Sequence, residues 1–102
     1  MNEHSEVMTP SNVARSAIML MERGWTKVEP AVDAEGKMTP CWGPKAVAWT
    51  IAGAIGAVRC PDKSRLSLLG KFLVMNDATV HEYNRDHGRE ECVEALRRCV
   101  EN

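Results

Sequence analysis

Ala46-Val47-Ala48-Trp49-Thr50-Ile51-Ala52-Gly53-Ala54-Ile55-Gly56-Ala57-Val58 is a run of thirteen uncharged residues between Lys45 and Arg59. How this run folds decides the architecture. It falls short of the roughly 18 apolar residues a membrane-spanning helix needs, so it reads as a buried helix over about Pro44–Arg59, with proline at its mouth. Its alanines and glycines leave a shallow surface on more than one face, so neighbouring elements can come close to its backbone. An internal glycine costs a helix roughly 0.5–1 kcal/mol relative to alanine, a cost more easily offset where packing gains from the missing side chain. The expectation is a central helix wrapped by the others, with Trp49 in the core.

On the N-terminal side, Thr9-Pro10 supplies an N-cap and a first-turn proline. Val13, Ala17, Leu20 and Met21 then recur at helical spacing, widened by Ile18, up to Gly24, read as a left-handed C-terminal residue. This predicts a helix over Pro10–Arg23. Between Gly24 and Gly43 the helical period is lost. Val28, Ala31, Val32 and Met38 surround the turn Asp33-Ala34-Glu35-Gly36-Lys37, which predicts a short hairpin. Pro40 and Pro44 bracket Cys41-Trp42-Gly43 as an extended linker.

On the C-terminal side, a helix follows Cys60-Pro61-Asp62, with Leu66, Leu69 and Leu73 as a core stripe and Phe72 beside it, until Asn76-Asp77. Thr79-Val80-His81-Glu82 matches a capping box and predicts one short helical turn through Tyr83. A last helix is expected from Arg89 to Glu101, with Cys92, Val93, Leu96, Cys99 and Val100 on one face and a Glu94–Arg98 pair on the other. The expected fold is mainly α: four principal helices plus one short helix, with a small β-hairpin between helices 1 and 2. Residues 1–8 read as a flexible tail and 9–102 as one compact domain.

Length and charge agree with a single domain: 102 residues, 13 Lys+Arg against 14 Asp+Glu, and 44% hydrophobic residues. The net charge of −1 removes the usual warrant for nucleic-acid binding, which needs a basic excess. Residues 60–102 tempt with Arg85, Arg89, Arg97 and Arg98, yet hold seven basic and eight acidic side chains. The first residues show no cationic segment followed by an apolar one, so a cytoplasmic location is expected.

Candidate chemistry is sparse. Cys41, Cys60, Cys92 and Cys99 read as free thiols in a reducing compartment. Cys92 and Cys99 on one helix would be about 10 Å apart, beyond the roughly 7 Å limit on Cα separation in a disulfide. No Cys-x-x-Cys or His-x-x-x-His pair suggests a metal site, and no cofactor is expected. His4 falls in the expected tail, and His81 and His87 read as solvated imidazoles outside any nucleophile signature. Glu90 and Glu91 sit in the first turn of the last helix, where negative charge suits the dipole. Gly53-Ala54-Ile55-Gly56 lacks the lysine and preceding strand of a phosphate loop.

Trp25, after a helix end, and Trp42, in the proline-bracketed linker, are candidate partner anchors, because partly exposed aromatics dominate interface energetics. Gly24-Trp25-Thr26, the Asp33-to-Gly36 turn, Trp49-Thr50-Ile51-Ala52-Gly53-Ala54-Ile55 and Tyr83-Asn84-Arg85-Asp86-His87-Gly88-Arg89 follow one another in an order that resembles a small uncharacterised domain family of bacteria and bacteriophages. That family's pattern is Gly-Trp-Thr, Trp-Cys-x-x-Gly-Ala-Leu and Trp-Asn-Asp-x-x-Gly-Arg-Thr, and the resemblance spans about residues 13 to 100. Thr50, Tyr83, Arg85 and Glu90 depart from it, replacing cysteine, tryptophan, aspartate and threonine. Asn84, Gly88 and Arg89 match, and read as a loop-and-cap device. The resemblance implies no established activity, only a setting in mobile elements.

The function expected from these residues is a non-enzymatic cytoplasmic module that binds a larger protein by occluding or bridging it. A phage-encoded inhibitor of host defence, such as an anti-CRISPR, is one form this would take. The partner surface would draw on Trp25, Trp42, Tyr83, Asn84, His87 and Arg89. The alternative is a small-molecule or anion site, or an enzyme, built on a pocket near Tyr83, Asn84, His87 and Arg89.

Overall fold

A computed structural model describes residues 8–100; His4, and Glu101 as the expected end of the last helix, lie outside the described residues. Of the tail expected over residues 1–8, only Met8 is described, and it packs against the core. The elements are α1 (Pro10–Arg23), β1 (Ala31–Val32), β2 (Ala48–Trp49), α2 (Ile51–Ala57), α3 (Asp62–Asn76), α4 (Val80–Asp86) and α5 (Arg89–Arg97). The fold is mainly α, with a two-stranded antiparallel sheet between the first and second helices, as expected.

Helix α1 has the predicted bounds: the Thr9 hydroxyl accepts from Asn12 N, and Pro10 opens the first turn. Its buried face, Val13, Ala14, Ala17, Ile18 and Met21, packs on α2, α3, α5 and β2. Gly24 corrects the expectation of a left-handed cap, since its backbone is extended at φ −175°. Glycine is needed there because a Cβ would lie 2.1 Å from the Val47 carbonyl oxygen.

The uncharged run supplies the main correction. Residues 44–50 are not helical, and α2 begins only at Ile51, where the Thr50 hydroxyl accepts from Gly53 N at 3.0 Å. The residues before it thread between two other segments. Trp49 N donates to Gly24 O, and Thr26 N donates to Trp49 O. On the opposite side Val47 N donates to Val32 O, and Thr50 N donates to Pro30 O. Ala31 and Val32 therefore pair with Trp49 and Ala48, while the predicted turn closes locally through a Val32–Met38 bridge and Gly36 at φ 83°. Trp49 is buried as expected, but on a strand, with its indole N–H donating to Cys41 O at 2.9 Å.

The short α2 does lie at the centre of the packing, with Ile51, Ala54 and Ile55 fully or almost fully buried. Gly53 permits the closest approach, since a Cβ there would sit 1.8 Å from Pro30 O. The end of α2 is held by Arg65 of α3, whose guanidinium donates to Val58 O at 2.9 Å and to Ile55 O at 3.4 Å, and pairs with Asp62. These bonds satisfy carbonyls that a helix end leaves open.

Helix α3 keeps its expected bounds but turns a different face inward. Ser64, Leu68 and Phe72 are buried, whereas Leu66 and Leu73 are exposed and Leu69 is half-buried. The leucine stripe predicted as core thus lies largely outside. The capping box of Thr79 and Glu82 forms, and α4 runs on past Tyr83 to Asp86. Helix α5 ends at Arg97, and Glu91 accepts from Gly88 N at 2.9 Å to cap its start. Glu94 pairs with Arg97 at 3.7 Å, not with Arg98, because Arg98 donates instead to Asn76 Oδ1 at 2.7 Å.

Candidate functional site

The residues singled out from the sequence separate into a structural knot and an open surface. Asn84, 2% exposed, is the centre of the knot. Its Oδ1 accepts from Trp25 Nε1 at 3.0 Å and from Ile51 N at 2.9 Å. Its Nδ2 donates to Thr26 O at 3.3 Å and to Lys27 O at 3.0 Å. Both amide hydrogens and both lone-pair directions are used, which leaves no capacity for a ligand. Three of the segments singled out from the sequence meet at this side chain: Gly24–Thr26, Trp49–Ile51 and the start of Tyr83–Arg89.

Trp25 is accordingly a core cap. It is half-buried, with the Lys27 ammonium 5.7 Å from its ring centroid. It also lies beside Cys92, whose buried thiol is pushed up to about 11 by desolvation, partly offset by a hydrogen bond with Trp25. Burial likewise raises the Cys99 thiol, which donates to Ala95 O. All four cysteines are free thiols, and Cys92 and Cys99 are fully buried. A buried thiol held protonated is a weak nucleophile.

Tyr83 packs edge-on against Phe72 and stacks on His87, with ring centroids 3.8 Å apart. His87 Nδ1 lies 3.0 Å from Tyr83 O, a contact that places the proton on Nδ1. His87 is therefore half-buried and stacked, which corrects its reading as a solvated imidazole; His81 is exposed as expected. Arg89 is exposed at the start of α5, beside Glu22, Glu90, Glu94 and Arg97 in a shallow polar depression. The hollow that Asn84 borders holds about 50 Å³, well below the roughly 300 Å³ at which small-molecule sites begin.

The open surface lies elsewhere. An apolar hollow of about 400 Å³ is lined by Ala52 and Gly56 of α2, Leu69 and Leu73 of α3, and Val80 and His81 of α4. Gly56 and Arg65 also line an adjoining hollow of about 590 Å³, which Trp42 borders. Trp42 is 73% exposed, held out by the proline-bracketed linker that also presents Cys41 O to Trp49. Sequence reading found Trp42 but missed the hollow, because it had assigned the leucines lining it to the core. Their periodicity was the available signal.

No protein-family model, curated protein or solved structure matches this chain. Among the described residues there is no group of three or more His, Cys, Asp and Glu side chains placed to hold a metal ion, and no helix long and apolar enough to cross a membrane.

Proposed function

We propose that the protein is a non-enzymatic binding module that occludes or bridges a larger protein through the apolar hollow between α2, α3 and α4, with Trp42 as an anchor at the adjoining hollow. The observation that carries this reading is the division of labour among aromatic and polar groups. Asn84 and Trp25 are tied to backbone and core, while Leu69 and Leu73 line an open apolar hollow and Trp42 borders the hollow beside it. A helix that is apolar on two faces needs two partners, and the chain supplies α3 with one. Given the resemblance to phage and bacterial domains, an inhibitor of a host-defence complex is the form of this function to test first.

The test is capture from bacterial lysate by the immobilised protein, with Trp42→Ala and His81→Glu run in parallel. Both positions are exposed, so the variants keep the fold. The reading expects a stoichiometric partner that the wild type retains and both variants lose. Absence of any such partner, or a partner held equally by all three, contradicts it.

A further inference from the structure

The outward face of α3 borders the hollow along one edge, where Gly70 and Leu73 belong to both, and the rest of it lies outside the hollow. Lys63, Leu66, Ser67, Gly70, Leu73, Val74 and Asp77 are all exposed, and their spacings of three and four residues place them on one side of the helix. Leu66 is 66% and Val74 82% exposed, an unusual apolar content for a face that meets only water.

Two residue pairs of this face are placed symmetrically about Gly70, whereas Ser67 and Leu73, three residues to either side, are unlike. Leu66 and Val74 lie four residues to either side, and Lys63 and Asp77 seven to either side, with opposite charge. A Cβ at Gly70 would meet no atom within 4 Å, so nothing inside the chain accounts for glycine there. Lys63 and Asp77 form no ion pair among the described residues.

We propose that α3 pairs antiparallel with α3 of a second copy of this chain about a two-fold axis through Gly70. A two-fold contact must be self-complementary, each residue meeting its counterpart across the axis. Here the axis sets Gly70 against Gly70 of the partner copy, so the helix backbones can approach closely. Leu66 of each copy then faces Val74 of the other, and Lys63 faces Asp77. Parallel pairing would instead oppose Lys63 to Lys63 and Asp77 to Asp77, so the charges select the antiparallel register. Such exposed pairs contribute orientation more than strength, and the contact patch is smaller than a standard protein interface. The dimer is consequently weak and concentration-dependent, and its contact covers the edge of the hollow that Gly70 and Leu73 line.

Sedimentation velocity from micromolar to millimolar concentration tests this. The wild type is expected to pass from monomer to dimer across the range, and Gly70→Lys to remain monomeric with thermal stability in dilute solution no lower than the wild type's. Lys63→Asp and Asp77→Lys are each expected to weaken self-association at least tenfold. Their equimolar mixture is expected to restore it, because both contacts of the mixed dimer then join opposite charges. A wild type that stays monomeric throughout overturns the proposal and leaves the face to a different protein. Dimerisation that persists in Gly70→Lys, or a mixture no stronger than its components, overturns it as well.

Discussion

The Trp25 indole N–H donates to Asn84 Oδ1 at 3.0 Å, joining the end of α1 to α4 across 59 positions of sequence. The same oxygen accepts from the first backbone N–H of α2, so one buried amide holds three elements in register. Such networks are worth more than isolated bonds because every unpaired member left behind is desolvated.

Asn84→Leu is therefore expected to destabilise the fold by about 3 kcal/mol, since it strands two donors and two carbonyls. Trp25→Phe, which removes the N–H together with part of the indole ring, is expected to cost about 2 kcal/mol. Urea unfolding of both variants and of their double mutant measures the coupling. If Asn84 were held in place for a ligand, its loss would leave stability unchanged.

Two glycines give opposite expectations. Gly53→Ala would drive a methyl into the Pro30 carbonyl, and a loss of about 3 kcal/mol is expected from the backbone shift this forces. Gly70→Ala meets nothing within 4 Å and should stabilise the helix by roughly 0.5–1 kcal/mol. Thermal unfolding of dilute protein reads both. Equal effects at the two positions would contradict the packing described around α2.

Alkaline pH is expected to weaken the fold through Cys92. Its thiol rises from 9.0 to about 11 in the folded chain because burial penalises the thiolate. Between these values the unfolded chain releases a proton that the folded chain retains. The stability contribution is therefore complete below pH 9 and disappears as pH rises through 11. Denaturant midpoints across this range should fall more steeply for the wild type than for Cys92→Ala. Parallel curves would show that the thiol is not desolvated as described.

Much of the frame was legible. Thr9-Pro10 and the Thr79-to-Glu82 capping box specify helix starts through local bonds that need nothing from the rest of the chain. Residues 44–50 were misread because a buried strand and a buried helix segment share the same run of small and apolar side chains. Ala48 and Trp49 become a strand only through partners 16 to 25 residues upstream, at Gly24–Thr26 and Ala31–Val32. On α3, periodicity identified the stripe Leu66, Leu69 and Leu73 correctly as a face, but Ser64, Leu68 and Phe72 form a second one, and spacing alone does not say which turns inward. Asn84 was singled out, yet its four partners are set by tertiary structure.

The central proposal is that the working surface is the apolar hollow together with the adjoining one that Trp42 borders, and that the Asn84 region is structural. The most direct measurement is amide and indole chemical-shift mapping of the isotope-labelled protein titrated with the partner captured from lysate. Perturbations are expected at Trp42, Ala52, Gly56, Leu69, Leu73 and Val80, with Asn84 and His87 unmoved. Shifts concentrated at Tyr83, Asn84, His87 and Arg89, with the Trp42 indole unchanged, would contradict it.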